Sequence, residues 1–167
     1  MREPRSAETV PGIPEPGGWV DALTGVEGPD YWQRLVIAEI ARAGRYRRPV
    51  TLVLMDVDGI DEIQRVWGTE VARQTLHETA QCLRRMARTS DHCARIGGTR
   101  FGILLTETDE IATINFVDRV REAGPRAVAR TADLVGFTFG WASPRDGEAP
   151  DAVVRRAEAR MDADRTG

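Results

Sequence analysis

Val50-Thr51-Leu52-Val53-Leu54-Met55 narrows the fold more than any other stretch of this chain. A short, β-branched and almost wholly apolar run of this kind reads as a strand buried on both faces. The run ends at Asp56-Val57-Asp58, which brings two carboxylates to the end of that strand. On either side of it the apolar period becomes helical. Trp32, Leu35, Val36, Ile40 and Ala43 predict a helix over 29–46, and Val71, Leu76, Ala80, Leu83 and Met86 predict one over 70–88. Two further strands, 93–96 and 101–105, flank Gly97-Gly98, a pair suited to a hairpin tip that needs positive φ or close backbone approach. A helix over 110–122, a strand over 134–142 and a closing helix over 151–163 complete the order. That order contains a split βαββαβ unit. The expected fold is therefore α+β, a central and mainly antiparallel sheet of ferredoxin-like topology surrounded by helices.

Residues 1–18 hold Pro4, Pro11, Pro14, Pro16 and Gly17-Gly18 among few apolar residues, a composition that predicts a flexible tail ahead of one domain over 19–167. The 167 residues, 41% of them hydrophobic, suffice for one core and not two. A net charge of −3 without blocks of like charge argues against nucleic acid or an anionic membrane as the main partner and favours a small ligand or a protein. Cys82 and Cys93 have no metal-site spacing and read as small apolar residues. With no signal sequence and no long apolar run, a reducing cytoplasm is the expected compartment.

Several separated motifs fall into one register. They are Asp21-Ala22-Leu23-Thr24-Gly25, Met55-Asp56-Val57-Asp58, Val66-Trp67-Gly68-Thr69-Glu70, Arg95-Ile96-Gly97-Gly98-Thr99-Arg100-Phe101, Phe139-Gly140-Trp141-Ala142 and Arg156-Ala157-Glu158-Ala159-Arg160-Met161. In this order and spacing the chain resembles a GGDEF domain, the family of diguanylate cyclases that make cyclic di-GMP from two GTP molecules. The resemblance covers about residues 21–167. It implies a nucleotide-cyclase-like fold and, in active members, two-metal phosphoryl transfer on hard oxygen ligands.

Those ligands are incomplete here. Asp56 and the Val57 carbonyl match the family, but the acid that completes the metal set is Thr99, and the acid implicated in activating the 3′-hydroxyl is Arg100. The guanine-reading Asn and Asp correspond to Gln64 and Arg73, and the two phosphate-binding lysines fall on Asp61 and Asp164. All 23 basic residues of the chain are arginine, so avoidance of lysine would explain Arg at such positions but not Asp. The expectation is a catalytically inactive domain that requires no cofactor, with Asp56 a vestige that does not recruit magnesium. Arg88-Thr89-Ser90-Asp91 matches the family's R-x-x-D inhibitory site, and Arg119 falls where a third ligand-binding arginine is often found. An arginine can donate a pair of bonds to guanine O6 and N7, and an aspartate can accept from guanine N1–H and N2–H. The resemblance thus implies a cyclic di-GMP receptor built on Arg88, Asp91 and Arg119, acting on a protein effector or through a ligand-bridged homodimer. A ligand-independent interaction module is the alternative, and an enzyme with an altered site is a third.

Overall fold

The computed structural model describes residues 9–167. Its elements, in chain order, are α1 (Pro29–Tyr46), β1 (Val50–Asp58), α2 (Ile60–Trp67), α3 (Thr69–Met86), β2 (His92–Arg95), β3 (Arg100–Thr106), α4 (Glu110–Ala127), β4 (Gly136–Ala142) and α5 (Pro150–Thr166). The four strands form one sheet in the order β2-β3-β1-β4, and every neighbouring pair is antiparallel. This is the ferredoxin-like arrangement expected from the sequence.

β1 is buried from Val50 through Val57 because helices cover both faces of the sheet. Alternation along the strand divides its side chains between two cores. Val53, Met55 and Val57 join Ile60, Ile63, Leu76, Leu83, Phe116 and Val120 on the side of α2, α3 and α4. Leu52 and Leu54 join Trp32, Leu35, Ile40, Val153, Ala157 and Met161 on the side of α1 and α5. α2 was not expected from the sequence. It is only eight residues long, and its two buried residues, Ile60 and Ile63, are too few to declare a period. Gly59 ahead of it adopts φ +91°, and a Cβ there would lie 2.0 Å from the Leu134 carbonyl oxygen, so β1 can turn into α2 at this point only through glycine.

The predicted flexible tail over 1–18 divides in two. Its first eight residues lie outside the described residues. From residue 9 onward the prediction fails, since Val10 and Ile13 are 2% and 5% exposed and belong to the core under α2 and α3. Proline and glycine here shape a packed turn, which composition cannot distinguish from a mobile linker. Among the described residues, no helix is long and apolar enough to cross a membrane.

α5 sits unusually close to β4, for a reason visible at Gly140. A Cβ at that position would meet the Ala157 carbonyl oxygen at 2.0 Å and the Met161 nitrogen at 2.5 Å. Only a bare backbone lets the helix settle there, and this seat aims its last turn at the end of β1. Gly140→Ala is expected to cost about 3 kcal/mol, the upper part of the overpacking range, measured as a lower urea midpoint with unchanged slope.

Candidate functional site

Asp56 lies on the α1/α5 face of β1 and is 5% exposed. A carboxylate so placed needs a compensating charge. Two arginines supply it. Arg100 stands directly opposite in the β1–β3 register, and its Nε and Nη2 donate to Asp56 Oδ1 and Oδ2 at 2.6 and 3.0 Å. Arg165, from the last turn of α5, donates its Nη2 to Asp56 Oδ2 at 2.5 Å. Weaker ion pairs extend outward, from Arg100 to Glu158 at 3.8 Å and from Arg165 to Asp58 at 3.9 Å. Burial works against the Arg100 charge, but its bonds to Asp56 outweigh that effect and hold its pKa above the ordinary arginine value. Burial pushes the Asp58 carboxyl upward, partly opposed by the hydrogen bond from the Thr138 hydroxyl and by Arg165.

Sequence reasoning missed Arg165. It assigned the phosphate-binding position to Asp164, whereas the helix turns that residue elsewhere. Asp164 pairs with Arg121 at 2.8 Å and accepts from the Phe139 backbone N–H at 2.9 Å. The basic group that reaches Asp56 is the next residue, about 100° further round the helix. The reversal of charge expected on α5 is therefore absent from the site, where Arg165 is positive; Asp61, the other reversal, is exposed in the first turn of α2.

These residues do not fit a divalent cation. Both Asp56 oxygens accept from guanidinium groups, and Thr99, 2% exposed, offers a neutral hydroxyl in place of a carboxylate. Among the described residues no three His, Cys, Asp or Glu side chains converge as metal ligands. Gln64 is engaged as well, donating Nε2 to the Pro11 carbonyl at 2.5 Å and to Thr69 Oγ1 at 3.0 Å, while Arg73 is 3.4 Å from Glu70. The hairpin tip is fixed from inside by Arg95, which is fully buried. Its guanidinium donates to the Gly98 carbonyl, to Asp21 Oδ1 at 3.0 Å and to the Pro14 carbonyl at 2.6 Å. Asp21, recognised in the sequence only as a motif residue, is thus the buried counter-charge of the signature hairpin.

Arg88 and Asp91 meet on the far side of β2 and β3, at the turn that follows α3. Their contact is not the side-chain ion pair that i,i+3 spacing suggests. The Arg88 backbone N–H donates to Asp91 Oδ2 at 2.8 Å, and Asp91 Oδ1 accepts from the Thr106 N–H at 3.0 Å. Asp91 therefore ties the turn to the end of β3, and the Arg88 guanidinium keeps only a 3.4 Å contact to Thr108 Oγ1. Both residues line a pocket of about 330 Å³ together with Arg84, Glu27, Val26 and Cys93. Arg84 was not anticipated, although its i−4 spacing from Arg88 near the end of α3 was the available signal. Arg119 does not line this pocket. It is exposed on α4, with its guanidinium 6.0 Å from the Phe116 ring. His92 borders the pocket through Glu27, its Nδ1 lying 3.3 Å from Glu27 Oε1. The Cys93 thiol is pushed up to about 12 by burial and the nearby Glu27, which leaves it protonated and unreactive at neutral pH.

The family model for the diguanylate cyclase GGDEF domain matches residues 18–166. The chain belongs to the GGDEF family. This GGDEF domain is 30% identical over 114 residues to diguanylate cyclase DosC of Escherichia coli K12, an alignment covering 68% of this chain and 25% of DosC. It is 26% identical over 144 residues to the response regulator PleD of Caulobacter vibrioides, covering 83% of this chain and 32% of PleD. The chain thus spans a quarter to a third of the length of these relatives. Among solved structures, the GGDEF domain of DgcB from Caulobacter crescentus, in complex with c-di-GMP, superposes with a TM-score of 0.82 at 19% identity, covering 90% of this chain and 92% of that one. Diguanylate cyclase SiaD from Pseudomonas aeruginosa, in complex with its activator SiaC, gives 0.78 at 29% identity, covering 89% of this chain and 58% of that one.

The Asp56 cluster makes a stability prediction. Side chains of Arg100 and Asp56 are 11% and 7% exposed, so Arg100→Ala removes two of the three guanidinium bonds to a buried carboxylate, leaves it to Arg165 alone, and is expected to cost about 3 kcal/mol. Adding Asp56→Asn to that variant should recover part of the loss. A double-mutant cycle by urea denaturation reads the coupling, and strict additivity would mean that the pair is not coupled.

Proposed function

We propose that this GGDEF domain is a catalytically inactive receptor for cyclic di-GMP, reading the dinucleotide at Arg88 and Asp91 and signalling through contact with a protein effector or through ligand-bridged pairing. The observation that carries this reading is the contrast between the two sites. At Asp56 the chain's own arginines consume the carboxylate that phosphoryl transfer would use for metal, whereas at Arg88 the guanidinium is almost uncommitted and faces a pocket. No magnesium is required by this reading.

The chemistry of the second site supports recognition. Arg88, reinforced by Arg84, can donate to guanine O6 and N7 or clamp a phosphate. Asp91 already accepts from the Arg88 and Thr106 backbone N–H groups and, at 3.3 Å, from Thr106 Oγ1, which leaves about one of its four or so acceptor sites for a guanine N–H. The pocket is at the small end of the range of roughly 300–1,000 Å³ for ligand sites, so it suits one face of a cyclic dinucleotide and leaves the other exposed. A second copy then closes over that other face. Arg119, exposed on α4 and not lining the pocket of its own chain, has its role across this ligand-bridged pair. DgcB bound to c-di-GMP and SiaD bound to SiaC provide precedents on this fold for a dinucleotide and for a protein partner.

Calorimetric titration with cyclic di-GMP tests the proposal. The wild type is expected to bind with a micromolar dissociation constant. Arg88→Ala should weaken binding at least tenfold, about 1.4 kcal/mol, with an unchanged thermal midpoint. Absence of binding by the wild type at tens of micromolar ligand would leave the chain as a ligand-independent interaction module.

A further inference from the structure

Val10-Pro11-Gly12-Ile13 encodes a type II turn, in which proline presets φ at the second position and glycine supplies positive φ at the third. The structure forms it. Gly12 has φ +84°, and the Ile13 N–H donates to the Val10 carbonyl at 3.0 Å. The turn sends both flanking side chains into the core that includes Ile60, Ile63 and Leu76, leaving Val10 2% and Ile13 5% exposed.

Its backbone is held by side chains from distant elements. Gln64 of α2 donates to the Pro11 carbonyl at 2.5 Å, and Arg95 of β2 donates to the Pro14 carbonyl at 2.6 Å. A Cβ on Gly12 would lie 2.9 Å from Gln64 Nε2 and 3.3 Å from Thr69 Cγ2, so the bottom of the groove touches bare backbone. Folded domains bind short peptides by pairing the peptide's main-chain polar groups and giving its apolar side chains pockets; here the Gln64 and Arg95 side chains pair the carbonyls, and the core takes Val10 and Ile13, three residues apart.

We propose that the groove between α2, the start of α3 and the Gly97-Gly98 hairpin is a peptide-binding site for a Val-Pro-Gly-Ile turn, occupied in cis by the chain's own residues 10–14. Gln64, which the family resemblance places at guanine recognition, here recognises a peptide carbonyl instead. The groove selects two β-branched anchors three residues apart, a glycine between them and free carbonyls on either side. A partner presenting the same turn would compete with the segment for this groove. The inference does not depend on cyclic di-GMP binding at Arg88, and its test uses no nucleotide.

The test supplies the segment in trans. In the full chain, Val10→Asp with Ile13→Asp should release the turn and lower the thermal midpoint by several degrees. A synthetic peptide of residues 7–18, titrated to millimolar concentration, should bind this variant saturably, shift the Gln64 side-chain amide and Arg95 Nε resonances, and restore the midpoint. The same peptide carrying Gly12→Val should bind at least tenfold more weakly, and the wild type, already occupied, should ignore both. Failure of the peptide to bind the folded variant, or equal binding to variant and wild type, overturns the proposal. Should the double variant not fold, Gln64→Ala provides the second measurement. It should speed amide exchange at Gly12 and Ile13 at least tenfold without changing β1, and unchanged exchange there would overturn the proposal equally.

Discussion

A carboxylate at the end of a doubly covered strand must be matched by a positive charge, and in this chain that requirement organises everything around Asp56. β1 is buried because α1 and α5 cover one face of the sheet and α2, α3 and α4 the other. Its last buried polar residue therefore cannot rely on water. The β1–β3 register puts Arg100 opposite Asp56, and the close seat of α5 on Gly140 brings Arg165 to the same carboxylate. One ion cluster thus ties β1, β3 and α5 together. Such a cluster is weak evidence for added stability, because desolvation of the charges offsets much of their attraction. Its consequence is that neither charge can be removed alone.

The same cluster is the observation behind the proposal that this domain does not carry out its family's phosphoryl transfer. Two-metal phosphoryl transfer needs carboxylate oxygens free to bind cations, and here fixed guanidinium groups take them. Fold alone does not carry function, so the functional reading rests on the pocket at Arg88 and Asp91, where donors remain uncommitted. The two regions are joined through the β2–β3 hairpin, whose tip is gripped by buried Arg95 and whose open end is stitched by Asp91 to Thr106. A ligand at Arg88 would therefore press on a rigid hairpin, a suitable element for passing a change of contact to a partner.

Much of this was legible in the sequence. The β1 run announced a strand covered on both faces, the helical stripes located α1 and α3, and the order of elements gave the topology, because each signal is a period set by burial. α2 escaped because eight residues with two apolar anchors show no period. The segment around Val10 and Ile13 escaped because proline and glycine mark both mobile linkers and tight turns, and only the contacts with Gln64 and Arg95 decide between them. At the candidate site, the sequence placed Thr99 and Arg100 beside the Gly-Gly tip, but the engagement of Asp56 by Arg165 was not readable. A single-residue offset on a helix moves a charge to another face, and motif spacing near the chain's last helix does not fix that offset. Arg84 and Glu27 were likewise brought to the Arg88 pocket by tertiary packing rather than by any local pattern.

The central claim is that the chain's own arginines stand where catalytic metal and acid would act. Incubation of the purified chain with labelled GTP and either magnesium or manganese, followed by separation of the products, tests it most directly. The account predicts that GTP is recovered unchanged with both metals at every protein concentration. Formation of cyclic di-GMP that is abolished by Asp56→Asn would contradict it.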